Sequence, residues 1–358
     1  MKKIALFGPY PPPYGGRSIH IKRLAKKLIQ DNKLVHIYYN GKVKNLNQFK
    51  IRKVKSILFY IFKEKYDIFH FHDRNFKLIS LIIFISRFFR LKTKTVLSYH
   101  SFRDEPSEYN YVEKILFRYS IKRIDQFVCV GPNEYSKLCK YVDSNKIETI
   151  QSYIQPSEEE GEFAAFPIKL QEYVQKSEFL ITANGNIRFH NNEDLYGLDM
   201  LIELMNRIVN HNKYNVQLLI AVLESHKQTE KETNYYKELK TRIKNYSLEN
   251  FIYLYEVNNT ELYPLLKRSN LFIRPTNTDS YGVSVAEAIF ASIPAIASDV
   301  CERPLGATLF LSRNEESLYT QFCEVFNNYP YYLKRVKEIN QSDYFVNMNN
   351  LYEKLFNI

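Results

Sequence analysis

The chain has 358 residues, 45% hydrophobic and 25% charged, with only 10 glycines and 13 prolines. That length and composition suit two ordinary folded domains and exclude a disordered, collagen-like or linker-dominated chain. The net charge is +11; the basic excess lies in the first 150 residues and the remainder is net acidic, so the first half is expected to meet a polyanionic partner.

Short β-branched or aromatic runs alternate with helical patterns. Strands are expected at residues 3–8, 35–39, 67–72, 95–100 and 126–131, with helices such as 16–30 and 108–122 between them. Residues 75–94, NFKLISLIIFISRFFRLKTK, read as an apolar helix-length run with a basic end. The polar stretch 155–162 suits an exposed linker. Beyond it, strands are expected at 179–183, 216–223, 251–255, 271–274 and 295–298, separated by helices at 197–210, 231–246 and 261–268. Residues 342–355 carry apolar side chains at helical spacing and read as a docking helix. Strand–helix alternation repeated twice predicts an α/β protein of two doubly wound, Rossmann-like domains facing a cleft. The domains are expected over 1–156 and 157–340, with a terminal helix over 341–358.

Four cysteines, none spaced Cys-x-x-Cys, fit a reducing cytosol and exclude a zinc ribbon or disulfide scaffold. No secretory leader is expected, because prolines from position 9 interrupt the short apolar start. No apolar run approaches the 20 or so residues a bilayer span needs. Arg87, Phe88, Phe89, Arg90 and Lys92 instead suit an anionic membrane surface, with basic groups at headgroups and aromatics inserted. A core helix with a solvated basic end is the alternative. No nucleic-acid-binding signature is present, so lipid is preferred to nucleic acid.

Ligands of open α/β sheets bind beyond the carboxyl ends of the strands. The first strand ends in GPYPPPYGGRS, where Gly15 and Gly16 let backbone approach a ligand and a helix N-terminus faces an anion. The loop is not G-x-G-x-x-G, which disfavours a dinucleotide. His70, His72 and His100 end the third and fourth strands; His70 reads as structural, His72 remains open and His100 is the better candidate for a substrate hydroxyl. No Asp-x-Asp and no metal-ligand spacing occurs, so no metal is expected. The most informative stretch is RPTNTDSYGVSVAEA (274–288). Asp279 precedes a helix starting near Tyr281-Gly282, and Glu287 lies eight positions later, on roughly the same side. A phosphate seated on that N-terminus would be flanked by two carboxylates able to accept from sugar hydroxyls. A dipole-complementing aspartate plus a surface glutamate is the other reading of the same spacing.

With PPPYGGRSIHIKRLAKKL, SYHS, VCVGPNEYSKL, ITANGNIRFHNNEDLYGLDMLIEL and TDSYGVSVAEAIFASIPAIASDV in view, the chain resembles the retaining glycosyltransferases of family 4, with the GT-B fold. The resemblance implies that Asp279 contacts the donor sugar, Glu287 the nucleoside ribose, and the amides of Tyr281, Gly282 and Val283 the diphosphate. It further implies that Gly15, Gly16 and Arg17, with Asn184 and Gly185, line the donor site and that His100 lies near the donor sugar. Arg188 matches a diphosphate-clamping arginine. Two departures stand out: Asp279 replaces the usual glutamate, and Tyr196 falls where a clamping lysine is typical. Arg17 or Arg303 is expected to compensate. Leu305 falls where many family members carry a glutamate after proline.

The implied activity is retaining, metal-independent transfer from a nucleotide sugar, without a cofactor. The implied acceptor is a glycan, lipid-linked by analogy, in bacterial capsule, exopolysaccharide or lipopolysaccharide assembly. The protein would then sit in the cytoplasm on the inner membrane face. Two alternatives remain: an inactive homologue serving as a binding or scaffolding partner, and a nucleotide-sugar epimerase.

Overall fold

The computed structural model describes residues 1–11, 14–41, 50–100, 106, 109–158, 161–257 and 260–357, without the side chain of residue 133. Expectations touching Pro12, Pro13, Ser101, Glu159 and Glu160 lie outside the described residues. The chain divides into two compact units, Met1–Gln155 with Asp343–Ile358, and Pro156–Ser342.

The first unit runs β1 (Lys3–Phe7), α1 (Gly16–Gln30), β2 (Leu34–Tyr38), β3 (Lys50–Arg52), α2 (Ile57–Lys63), β4 (Ile68–Phe71), α3 (Phe76–Phe88), β5 (Lys94–Tyr99), α4 (Tyr111–Ile121), β6 (Gln126–Cys129), α5 (Pro132–Leu138) and β7 (Ile147–Thr149). The second runs α6 (Ile168–Lys176), β8 (Leu180–Asn186), β9 (Phe189–His190), β10 (Glu193–Asp194), α7 (Leu198–Met205), β11 (Gln217–Leu223), α8 (Glu230–Asn245), β12 (Ile252–Glu256), α9 (Tyr263–Leu266), β13 (Leu271–Arg274), α10 (Val283–Phe290), β14 (Ala295–Ser298), β15 (Thr308–Phe310), α11 (Glu315–Asn327) and α12 (Tyr329–Lys337). The last helix, α13 (Phe345–Phe356), belongs to the first unit.

Among the described residues the first unit holds a parallel sheet ordered β3-β2-β1-β4-β5-β6-β7, and the second one ordered β12-β11-β8-β13-β14-β15. Parallel strands must be covered on both faces, which is why β1, β4, β5, β11 and β14 are mainly apolar and are buried over nearly their whole length. In each sheet the order reverses direction at one point, between β1 and β4 and between β8 and β13. Side-chain caps fix several helix starts. Asn75 accepts from Leu78 N at 3.1 Å at the head of α3, and Thr229 and Glu232 form a reciprocal box at α8; such a cap contributes about 1 kcal/mol. Met348, Leu351, Tyr352 and Leu355 of α13 pack into the core formed by Ile4, Leu6, Ile21 and Leu24.

Some sequence expectations shift. The run 75–94 is not one helix. α3 ends at Phe88, Arg90 takes a left-handed conformation (φ 52°), and Lys94 already opens β5. Lys92 therefore lies in the connection between α3 and β5. The expected linker is anchored at Glu158, whose carboxylate accepts from Arg268 at 2.8 Å and Lys267 at 3.2 Å. α2, β3 and β7 have no counterpart in the sequence reading, being too short for periodicity to mark them.

Candidate active site

The reversal point of the second sheet gathers a cluster of hydrogen-bonded polar and charged groups. β8 ends in Asn184 and Gly185, and β13 beside it ends in Arg274. After β13 the chain turns through Asp279 into α10, whose N-cap is Gly282 at φ +89°. That conformation is strained for any residue with a Cβ, and a Cβ here would lie 2.7 Å from Arg303 Nη1. Tyr281 is buried, and its hydroxyl accepts from Gln341 Nε2 at 3.1 Å. The amides of Val285 and Ala286 already donate to Gly282 O at 2.9 and 3.2 Å, and the amides at the very start of the helix give its N-terminus a partial positive charge. Glu287 is buried within α10, which removes the surface-glutamate alternative.

Asp279 is not an open carboxylate. Its Oδ2 accepts from Arg274 Nε and from Arg303 Nη1, each at 2.8 Å, and Oδ1 accepts from Ser280 N at 3.0 Å. Burial would raise its pKa, but the two guanidiniums hold it well below the usual carboxylate range. Arg303 is enclosed: it also donates to Ser298 O, Ser298 Oγ and Thr276 Oγ1, and its side chain is 1% exposed. The expectation that Arg303 replaces the missing lysine is thus corrected, because its donors are spent inside the fold. Arg274 differs. Nη1 donates to Asn184 Oδ1 at 3.2 Å, and the guanidinium lies 5.5 Å from the centre of the Tyr196 ring. Tyr196 in turn lies so close to Gly185 that a Cβ there would come within 2.5 Å of its ring.

Arg188 stands apart from this cluster, in the turn between β8 and β9. It is half-exposed and pairs with Glu232 of α8 at 3.5 Å.

In the first unit, Gly15 caps α1 and its amide donates to Ser18 Oγ at 2.9 Å. No described atom fills the space that a Cβ on Gly15 or Gly16 would take. Arg17 is exposed and paired with Asp73 at 2.6 Å. Four histidines converge at the carboxyl ends of β1, β4 and β5. His70 is fully engaged, with Nε2 on Ser98 Oγ at 2.7 Å and Nδ1 on the Tyr352 hydroxyl. His72 Nδ1 and His100 Nε2 share a hydrogen bond at 3.1 Å, and His20 Nδ1 donates to Ser152 O at 2.8 Å. Burial is the main cause that pushes His20 down to about 4, His70 down to about 3, and His72 and His100 well below the ordinary imidazole value. One nitrogen each of His20, His72 and His100 lies within 4.8 Å of the others, the one group among the described residues able to hold a metal ion. Linear spacing gave no hint of it, because its members come from α1, the end of β4 and the end of β5.

Two family models match this chain, "Glycosyl transferases group 1" over residues 189–305 and "Glycosyltransferase Family 4" over residues 14–158. The chain belongs to the family 4 glycosyltransferases of the GT-B fold. A glycosyltransferase from Rickettsia africae is similar over 99% of this chain and 98% of its own, at 15% identity and a TM-score of 0.71. Anabaena HepE in complex with UDP and glucose is similar over 100% of both chains, at 14% identity and a TM-score of 0.71. The catalytic domain of starch synthase IV from Arabidopsis thaliana, bound to ADP and acarbose, is similar over 100% of this chain and 99% of its own, at 13% identity and a TM-score of 0.71. No curated protein matches the sequence.

Two further surfaces belong to the first unit of this glycosyltransferase. A cavity of about 120 Å³ beside Gly8 is lined by Phe7, Tyr38, Tyr39, Phe71, Asn40 and Asp73, among others. Aromatic walls with a few polar groups are the usual make-up of a small-molecule site. Phe84 and Phe88 of α3 and the following Phe89 are exposed, as are Phe59 and Phe62 of α2, and the two sets meet where the Phe62 and Phe89 ring centres lie 4.7 Å apart. Arg87 and Arg90 flank them. The sequence reading found the α3 half of this patch and missed the α2 half. No helix among the described residues is long and apolar enough to cross a membrane.

Proposed function

We propose that this glycosyltransferase moves a sugar from a nucleoside diphosphate sugar to a hydroxyl of a glycan acceptor with retention of anomeric configuration. The acceptor is lipid-linked, and the setting is assembly of a cell-surface polysaccharide on the cytoplasmic face of an anionic membrane. The observation that carries the reading is the α10 N-terminus at the sheet reversal point, with buried Glu287 along the same helix. Relatives of the same fold that bind UDP with glucose, or ADP with acarbose, support a nucleotide-sugar donor.

In the reaction, the bond from the anomeric carbon to the diphosphate breaks as the acceptor oxygen bonds to the same face of that carbon. The amides at Tyr281, Gly282 and Val283 stabilise charge growing on the diphosphate, a contribution of a few kcal/mol per donor. Glu287 accepts from the ribose hydroxyls, and Arg188 supplies positive charge. The departing phosphate oxygen takes the acceptor proton, and no step passes through a metal. The aromatic cavity of the first unit suits an acceptor sugar ring.

The test is transfer from labelled nucleotide sugars to membrane lipid extracts, with the anomer of the product read by NMR. Glu287→Gln is expected to lower turnover about 10–100-fold, the loss of a charge-assisted hydrogen bond. An inverted product would rule out retention. Saturable nucleotide binding without transfer or hydrolysis would favour the inactive binding partner, and conversion of the donor sugar without acceptor would favour the epimerase.

Membrane attachment has its own test. The wild type is expected to sediment with vesicles rich in anionic lipid and to be released by high salt. Phe88→Ser with Phe89→Ser is expected to lower that binding at least about tenfold, since each phenylalanine contributes about 1.5–3 kcal/mol when its surface leaves water. Equal sedimentation with neutral and anionic vesicles would remove the electrostatic account.

A further inference from the structure

Resting on the donor site just described, we propose that Arg274 is the second diphosphate-binding cation of this enzyme, presented over the ring of Tyr196, and that Asp279 positions it rather than holding the donor sugar. The argument starts from charge. One carboxylate between two guanidiniums leaves a net charge of +1 at the mouth of α10, which already favours an anion. Arg303 cannot present that charge, because it is enclosed and its donors go to Ser298, Thr276 and Asp279. Arg274 can. Its Nε is held by Asp279 and its Nη1 by Asn184, while Nη2 has no partner among the described residues.

The placement answers the departure at Tyr196. The ring fills the position where the resemblance has a lysine, and the Arg274 guanidinium lies 5.5 Å from its centre. A flat ring against Gly185 is a platform for a planar cation. The positive charge thus comes from the end of β13 instead of from the loop ahead of α7, and reaches the same corner of the site. Asp279 fits this account as well. Both of its oxygens are already hydrogen-bonded, and it fixes the guanidinium plane as a carboxylate partner does for arginine. Glu287, about one turn along α10, is assigned to the ribose side of the same donor. Arg274 lies before the helix, on the side of the outer phosphate.

The experiment compares binding of the uridine, adenosine and guanosine diphosphates and monophosphates, and of the matching nucleotide sugars, by calorimetry on the full chain. Arg274→Met is expected to weaken the preferred diphosphate about 10–100-fold, as loss of a charged hydrogen bond does, and to change the monophosphate less than about threefold. Adding Tyr196→Lys to Arg274→Met is expected to regain most of the loss. Asp279→Asn is expected to weaken the free diphosphate and the nucleotide sugar by the same factor. Unchanged monophosphate affinity certifies that the second unit of each variant is folded. Diphosphate binding that survives Arg274→Met overturns the proposal, as does an equal loss of mono- and diphosphate. Asp279→Asn weakening only the nucleotide sugar returns Asp279 to the sugar and overturns its positioning role. A wild type that binds no diphosphate at all overturns the donor site itself, which separates that failure from the others.

Discussion

Arg303→Met is expected to destabilise the second unit by about 3–5 kcal/mol, the range found when one partner of a buried ion pair is removed. The loss has named sources. Arg303 donates to Asp279 Oδ2, Ser298 O, Ser298 Oγ and Thr276 Oγ1, and its side chain is 1% exposed. Methionine fills most of the volume but leaves those acceptors in a dry pocket without donors, and each orphaned group costs about 1–3 kcal/mol. Arg303→Lys is expected to recover little, since a single ammonium cannot match the fork that spans three residues. Urea unfolding, followed as the transition of the second unit, measures the effect. A double-mutant cycle with Asp279→Asn separates the ion pair from the remaining hydrogen bonds. A loss below about 1 kcal/mol in Arg303→Met would mean that water satisfies the pocket and that the cluster is not the rigid support proposed for Arg274.

That cluster also marks where reading the sequence reaches its limit. β13 and β14 were legible to the residue, because Leu271–Arg274 and Ala295–Ser298 are short buried runs bounded by polar turns. The start of α10 was legible at Gly282, and so was the pairing of Glu287 with that helix N-terminus. The doubly wound architecture followed from alternation alone. What alternation does not carry is which charged side chains meet. Asp279, Arg274 and Arg303 are separated by 5 and 24 positions and come from three different loops and strand ends. Arg274 reads in sequence as the last residue of a strand, and nothing in its neighbours signals that its side chain turns toward Asn184. The histidines give the same lesson. His72 and His100 were visible as strand-end residues, but His20 sits within a helix, and its place beside them follows from α1 packing over β1 and β4. α2 escaped notice because seven residues hold too few turns to display a period, so half of the exposed aromatic patch was missed.

Those buried histidines predict acid sensitivity of the first unit. His20, His36 and His70 are held down to about 4, 4 and 3, and His72 and His100 well below the ordinary value, with burial the leading cause for each. Arg23 and Arg17 add to the shift at His20 and His100, and Arg52, beside His36, acts in the same direction. The unfolded chain takes up protons near 6.5 while the folded unit stays neutral, so between pH 6.5 and about 4 the unfolded state binds more protons. Stability in that window must fall as pH falls, and above pH 7 these groups contribute no slope. At pH 5.5 each histidine that remains neutral in the fold costs about 1.4 kcal/mol relative to pH 8. If only three of the five behave so, the loss is about 4 kcal/mol, which lowers the midpoint of a unit this size by roughly 10 °C. Thermal and urea unfolding of the first unit between pH 8 and 5 would measure this, with the slope giving the number of protons taken up. A midpoint that stays level across that range would show that these histidines titrate in the fold as they do in the unfolded chain, and would overturn the account in which burial keeps them neutral.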